Sequence, residues 1–220
     1  MKRISNLKTG PQPIKDPYTL DGLLKETELL GTEFYERPAI DVSRDLLSCV
    51  LLHNGTAGMI VETEAYLGAD DLAAHSSRGL TERTKVIFGP PGRAYVYFIY
   101  GMYECLNVVT DRDGVAGCVL IRALAPLCGL ATMYERRHWK GPSTGLANGP
   151  GKLTQALDIT RRHYGQRFDE GDLTIRRWRE RPSFETAATP RVGITQCADW
   201  PLRFIWKGHP CLSQRASRLL

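Results

Sequence analysis

Apolar and polar positions change their period several times along the chain, and each change marks an element. LDGLLKETELLG carries leucines at helical spacing and stops at Gly31, which predicts a short amphipathic helix. In FYERPAIDVSRDLLSCVLLHNG, Asp41 or Ser43 can cap a second helix that runs into a strand around Cys49 to His53, and Asn54-Gly55 signals a hairpin. GMIVETEAY predicts the next strand, with Glu62, Glu64 and Tyr66 on one face and Thr63 and Ala65 on the other. DDLAAH predicts one or two helical turns capped by Asp70, SSRGLTERTK a polar surface loop, and FGPPG a turn. RAYVYFIYG, aromatic and β-branched, predicts a strand. ECLNVVT and AGCVLIRAL flank the turn signal DRDG and predict a hairpin extending the same sheet, with Arg122 near the end of its last strand.

Beyond Pro126 the period becomes helical. LCGLATMYERRHW and LTQALDITRRHYG predict two helices, joined by the glycine-rich GPSTGLANGPGKL. The arginines of TIRRWRERP suit a solvated face, and RVGIT and PLRFIWKG predict two last strands. Strands in the middle with helices around them predict an α+β fold with a mostly antiparallel β-sheet.

Composition narrows the class. The chain has 220 residues, 42% hydrophobic and 24% charged, the balance of one globular domain. No apolar run approaches the ~20 residues of a membrane helix, so no membrane partner is expected. MKRISNLKTGPQPIKDP starts basic but has no apolar centre, which argues against a secretory leader. Residues 1–18 predict a mobile basic tail and residues 19–220 a single domain. A net charge of +5 suits a polyanionic partner without requiring one. None of the six cysteines forms a C-x-x-C pair, which fits reduced core thiols of a cytosolic protein and argues against a zinc motif.

Candidate chemistry collects between Val61 and Asn107. Glu64 on a strand is a solvated carboxylate in the commonest case, and Glu62 is its rival two residues away. Beside Tyr66 and under apolar neighbours, however, a carboxylate can be raised in pKa and aimed at a water as a general base. Tyr95, Tyr97 and Tyr100 can be sheet packing, or planar faces that hold an extruded base at roughly 1–3 kcal/mol per stacked base. Tyr100, before Gly101 and Met102 at a strand end, can fill the gap such a base leaves. His75 is more often structural than catalytic, and no ligand spacing around it suggests a metal. Arg78, Arg83 and Lys85 fit phosphate contacts, as does Lys152 after Gly-Pro-Gly at a helix start; a solvated loop looks the same. The sequence around Lys152 is not a P-loop: Leu146 stands where the first glycine belongs and Leu153 follows the lysine. No lysine precedes Lys85 within the acid–aromatic stretch, so a Schiff-base nucleophile has no obvious candidate there.

VETEAYLGADDLAAHS, FGPPGRAYVYFIYGMYECLNVVT, CVLIRAL, NGPGKL, RVGI and PLRF occur in that order, and together they closely resemble the alkyladenine (3-methyladenine) DNA glycosylase family of mammals and many bacteria. The resemblance runs from about Leu30 to about Trp206 and omits the N-terminal tail. It implies a single mixed domain around a curved antiparallel sheet, with no metal and no cofactor. Glu64 matches the general base that activates water, Arg122 the arginine that helps hold that water, and the main-chain carbonyl of Val192 its third ligand. Tyr66, His75 and Tyr97 match the walls of the base pocket, Tyr100 the intercalated side chain, and Asn107 the residue that crowds the exocyclic amine of guanine. One departure stands in the loop after His75: LTERT lacks the family's usual Pro and Asn, and Glu82 adds negative charge.

The resemblance thus implies a monofunctional glycosylase. It would flip 3-methyladenine, 7-methylguanine, hypoxanthine or ethenoadenine out of double-stranded DNA and leave an abasic site. Such an enzyme works as a monomer at the chromosome, in the bacterial cytoplasm or a nucleus. Two rival classes differ in outcome. A binder that uses the tyrosines only for stacking survives loss of Glu64, and a small-molecule hydrolase using Glu64 and His75 turns over without DNA.

Overall fold

The computed structural model describes residues 14–99 and 101–213; the predicted basic tail before residue 14 and the predicted wedge Tyr100 lie outside the described residues. Its centre is strand β3 (Thr56–Tyr66), which pairs antiparallel with β2 (Val50–His53), β6 (Gly117–Cys128) and β9 (Arg203–Trp206). β2 occupies one edge of its first half, and β9 takes over that edge at Glu62, Thr63 and Glu64. With β1 (Thr27–Leu29), β4 (Ala94–Ile99), β5 (Tyr103–Thr110) and β7 (Leu173–Trp178), the sheet runs β1-β7-β2-β3-β6-β5-β4. A further strand, β8 (Thr186–Thr189), hangs on β9. The α+β class with a mostly antiparallel sheet holds.

The β3–β6 ladder skips Leu127 of β6 near its start, between the pairs Ala57–Cys128 and Gly58–Pro126, and then one residue on each strand near the acids. Ile60 pairs with Leu124 and Glu62 with Ala123, so Val61 is extra; Thr63 pairs with Ile121, so Arg122 is extra. These bulges break the alternation of side chains. Ile60 and Ala65 belong to the main core, and Thr63 bonds Ser43 of helix α3 (Ala39–Asp45). Val61 joins Ala123 and Ile205 in a second cluster, and Glu62 and Glu64 both bond Arg122. The main core is built where α3, α4 (Leu130–Arg137) and α5 (Pro150–Leu157) cover the sheet with Val42, Met133 and Leu153.

Several predicted elements take other forms. The first helix, α1 (Leu20–Glu26), stops well before Gly31, where a one-turn helix α2 (Thr32–Tyr35) begins, and Thr27 to Leu29 pair with Trp178 to Arg176 instead. A β-branched residue at Thr27 favours that change, and its hydroxyl closes the helix by donating to Leu23 O at 2.5 Å. Asp41 and Ser43 lie inside α3, whose N-cap is Pro38. DDLAAH forms turns rather than a capped helix, because the carboxylate of Asp71, not Asp70, accepts from Leu67 N and Ala73 N. Arg122 sits mid-strand, since β6 continues through Pro126 to Cys128. The second predicted helix starts earlier, at Pro150, and ends at Leu157 where Asp158 turns left-handed; a 3₁₀ turn, Arg161–His163, follows.

At the C-terminal end, TIRR of the basic segment lies in β7 between β1 and β2, with Arg176 donating to Thr27 Oγ1 and Arg177 paired with Glu28. RVGIT is a loop, and TAAT before it is the strand. At the other end, Asp16 and Tyr18, which the sequence places in the tail, are held by the body. Asp16 accepts from Gly129 N and Leu130 N at 2.9 Å, capping α4, and Tyr18 packs on Trp178.

Candidate active site

The second half of β3 carries Tyr66 into the wall of a cavity of about 520 Å³, with Glu64 bonded to Tyr66, Arg122 and Val192 of its lining. Strands β4, β5 and β6 contribute Tyr95, Tyr97, Asn107 and Arg122 to its walls, and the segment Ala73 to His75 closes one side. The start of α5, Gly149 to Lys152, and the loop Val192 to Ile194 form the rest. Gly151 has a local reason: a Cβ there would come within 2.8 Å of the Tyr103 ring, so the helix start could not approach the hairpin as closely.

Glu64 is fully buried. Its Oε1 accepts from Val192 N at 2.7 Å, and its Oε2 accepts from Arg122 Nη1 at 3.2 Å and Tyr66 OH at 3.1 Å. Burial raises its pKa above the usual carboxylate range; Arg122 and the Val192 amide oppose that rise, and the neighbouring charge of Glu62 adds to it. A carboxylate so held is both aimed and more basic than a solvated one. Burial works against the charge of Arg122, but Glu64 and Glu62 outweigh it and keep the guanidinium protonated.

Glu62 belongs to the support of this pair. Its Oε1 accepts from Arg122 Nε at 3.0 Å and lies 3.3 Å from Arg203 Nε. Ser213 adds bonds from its amide and hydroxyl, at 2.8 and 3.0 Å. Both carboxylates are buried, so neither is the solvated strand acid that residue type alone suggests. Geometry separates them: Glu62 is enclosed by three hydrogen-bond donors and the Arg203 guanidinium, while Glu64 bonds Tyr66, Arg122 and Val192, which line the cavity.

The aromatic residues form one array. His75 stands edge-on to Tyr97 with centroids 4.6 Å apart, and Tyr95 lies 5.4 Å from Tyr97. His75 Nδ1 is 2.9 Å from Tyr95 OH, which fixes the imidazole. Burial, then Arg83 and Arg78, lowers the His75 pKa to about 4, so the ring is neutral at physiological pH. Asn107 Nδ2 donates to Tyr95 O at 3.0 Å. That is the backbone bond expected of a structural strand asparagine, and it also orients an amide that lines the cavity.

The predicted phosphate contacts separate on inspection. Arg83 lies over the Tyr97 ring, 5.1 Å from its centroid, with Nη2 3.5 Å from His75 Nε2. Lys85 is paired with Glu82 at 2.8 Å, both exposed. Lys152 lines the cavity with Nζ donating to Asn148 Oδ1 at 2.8 Å, and burial followed by Arg137 lowers its pKa. Arg78 ends the 3₁₀ turn His75–Arg78, exposed, on the same loop as His75.

Sequence reasoning missed Arg191 and Asp71. Both are buried, with two contacts between guanidinium and carboxylate. Arg191 also donates to Ala65 O at 3.0 Å and lies over the Tyr66 ring at 4.6 Å. The signal available in sequence was only an arginine before Val192 and an acid five residues after Tyr66.

An enclosed carboxylate bonded to the lining of an aromatic cavity, on a protein of net positive charge, fits an enzyme that takes a planar group from a polyanion. A family model described as Methylpurine-DNA glycosylase (MPG) matches residues 33–210. A protein of Methanoculleus marisnigri named "Putative 3-methyladenine DNA glycosylase" is 50% identical over 192 residues, covering 84% of this chain and 99% of the relative. Relatives of the same name in Alkaliphilus oremlandii and Methanocella arvoryzae are 42% and 43% identical, covering 84% and 86% of this chain and 99% and 97% of themselves. The chain belongs to the methylpurine-DNA glycosylase family, DNA-binding enzymes of base excision repair that act on alkylated purines.

Proposed function

We propose that this protein is a monofunctional glycosylase that excises 3-methyladenine, 7-methylguanine, hypoxanthine and ethenoadenine-type purines from duplex DNA with a Glu64-activated water. The observation that carries this reading is the full burial of Glu64 between Val192 N, Arg122 and Tyr66 beside the aromatic cavity. The flipped base would lie among Tyr66, His75 and Tyr97, with Tyr100 filling the gap in the duplex and Asn107 near the purine C2 position.

The chemistry needs few groups. Water adds its oxygen to C1′ as the C1′–N bond breaks, its proton passes to Glu64, and the bonding pair leaves with the base. A base alkylated at N3 or N7 is already cationic and departs neutral, so it requires no acid. Charge that develops on the sugar faces the Glu64 carboxylate, while Arg122 holds that carboxylate in position. Lys152, the one lysine lining the cavity among the described residues, has its Nζ engaged by Asn148, which supports hydrolysis by water rather than attack by an amine.

The test is a duplex carrying one lesion, incubated with wild type and Glu64→Gln, with abasic sites and released base assayed. The variant should bind lesion DNA near wild-type strength and lose excision. Excision within about tenfold of wild type, roughly 1.4 kcal/mol of barrier, would overturn the general-base role. Borohydride added during turnover should trap no protein–DNA adduct; a trapped adduct lost in Lys152→Gln would show an amine nucleophile and a bifunctional enzyme.

A further inference from the structure

Two histidines and an aspartate meet outside the active site. His53 ends β2, His163 ends the 3₁₀ turn after α5, and Asp172 directly precedes Leu173, the residue paired with His53 across the β2–β7 ladder. His53 Nε2 is 3.1 Å from His163 Nε2 and 3.4 Å from Asp172 Oδ2, and one ligand atom of each residue lies within 4.8 Å of the others. The imidazoles are buried and mutually edge-on, while the Asp172 side chain is 65% exposed, which leaves a way in from solvent.

The hydrogen bonds around the cluster decide what these atoms present. His53 Nδ1 lies 2.6 Å from Leu157 O, and a carbonyl only accepts, so Nδ1 carries the proton and neutral His53 offers a bare lone pair at Nε2. That lone pair faces the carboxylate of Asp172. His163 Nδ1 lies 3.0 Å from Thr160 O, and when it donates there the second Nε2 is bare as well. Asp172 Oδ1 accepts from Gln166 Nε2 at 3.1 Å, which turns Oδ2 toward the histidines. Acceptors that converge without a donor repel unless a positive centre lies among them. Histidines backed at Nδ1 by carbonyls, with a carboxylate held by its own donor, are the outer support that metal ligands require. Bonds of ~2.0–2.1 Å to a tetrahedral zinc ion place two nitrogens roughly 3.3 Å apart, close to the spacing found.

We propose that His53, His163 and Asp172 bind one zinc-class divalent cation as a structural site. Two imidazole nitrogens and one carboxylate oxygen suit zinc among the common divalent ions, with water completing the shell. The ion ties the chain between α5 and β7 to the end of β2. The residue after His163, Tyr164, accepts from Val86 N at 3.2 Å, so the same tie reaches the segment that carries Arg83 over Tyr97. The competing state needs no metal: His163 Nδ1 accepts from Thr160 N, also at 3.0 Å, and its Nε2–H donates to His53.

The experiment uses the whole chain, stripped with a chelator, then given one equivalent of zinc chloride and passed over a desalting column. Wild type should retain about one zinc per protein and melt at a higher temperature than the stripped form. Asp172→Asn, at an exposed position, and His163→Gln should each bind zinc at least ~10-fold more weakly and lose the shift. Cobalt substituted for zinc should give a nitrogen–oxygen spectrum without thiolate charge transfer. No retained zinc would establish the proton-sharing state instead. Zinc retained equally by both variants would place it elsewhere, on thiols or in the cavity, and would equally overturn the proposal.

Discussion

Val192 N donates to Glu64 Oε1 at 2.7 Å, joining residues 128 positions apart in the chain. Resemblance assigns the carbonyl of Val192 to a water; the amide is the group that touches the carboxylate. A loop rather than a strand makes this contact possible, because a strand would commit that amide to its ladder. Arg191 just before it anchors the loop on Asp71 and Ala65 O.

Burial sets the pH dependence of excision. The Glu64 pKa is raised and the unprotonated form is the base, so excision falls as pH drops through a value above the ordinary glutamate range. Tyr66 OH donates to the carboxylate and lowers that pKa, so Tyr66→Phe, which keeps the ring, should move the acid limb to higher pH. Single-turnover rates across pH on a 3-methyladenine analogue duplex check this. A limb that stays put in the variant would separate it from Glu64. His75, held near 4, should contribute no limb around 6.5.

Asp71 and Arg191 form a pair with both side chains fully buried. Asp71→Asn leaves the guanidinium without its counter-charge, and breaking such a pair costs about 3–5 kcal/mol. Urea unfolding at neutral pH should show a loss of that order, accompanied by slower excision as Val192 shifts. A loss below about 1 kcal/mol would mean that the pair is not what holds the loop.

Salt dependence reports phosphate contacts, each adding about −0.9 to the log–log slope for duplex DNA. Arg78→Gln and Lys152→Gln should each flatten the slope by about that amount. Lys85 is different because Glu82 holds it at 2.8 Å. Glu82→Gln should therefore steepen the slope and tighten binding at low salt. Binding isotherms at several salt concentrations provide the measurement; slopes identical to wild type would remove these residues from the interface.

Asn107 lines the cavity with its amide tied to Tyr95 O. Asn107→Ser removes both the bulk and the tether. Guanine release from G·T or G·U pairs, where flipping costs least, should rise, while 3-methyladenine excision should change less. An unchanged guanine-to-hypoxanthine ratio in a folded variant would place discrimination at another residue.

Much of this was legible without coordinates. Asn54-Gly55 marks its hairpin because both residues adopt positive φ, at 45° and 75°, which few other residue types accept. The strands around Glu64 are legible because their apolar and aromatic residues pack against one another whichever neighbour supplies the partner. Short motifs place Glu64, Tyr66, His75, Tyr97 and Asn107 near one cavity, and they do line it or bond to residues that line it.

What local pattern could not supply depends on partners distant in sequence. β7 carries Arg176 and Arg177 and looks solvated, yet it crosses the sheet because Thr27 and Glu28 on β1 receive those guanidinium groups. His53, His163 and Asp172 have no ligand spacing, since three separate segments bring them together. The decisive case is Glu64 itself. Strand alternation puts Glu62 and Glu64 on one face but cannot say whether that face is core, cavity or water. By alternation from Ile60 alone they would enter the helix-covered core. The paired bulges at Val61 and Arg122 turn both acids the other way, onto the guanidinium that Arg122 itself brings. A bulge is a property of two strands in register, so the chemistry of Glu64 was decided by β6, far along the chain, and by the low-dielectric enclosure that tertiary packing builds around it.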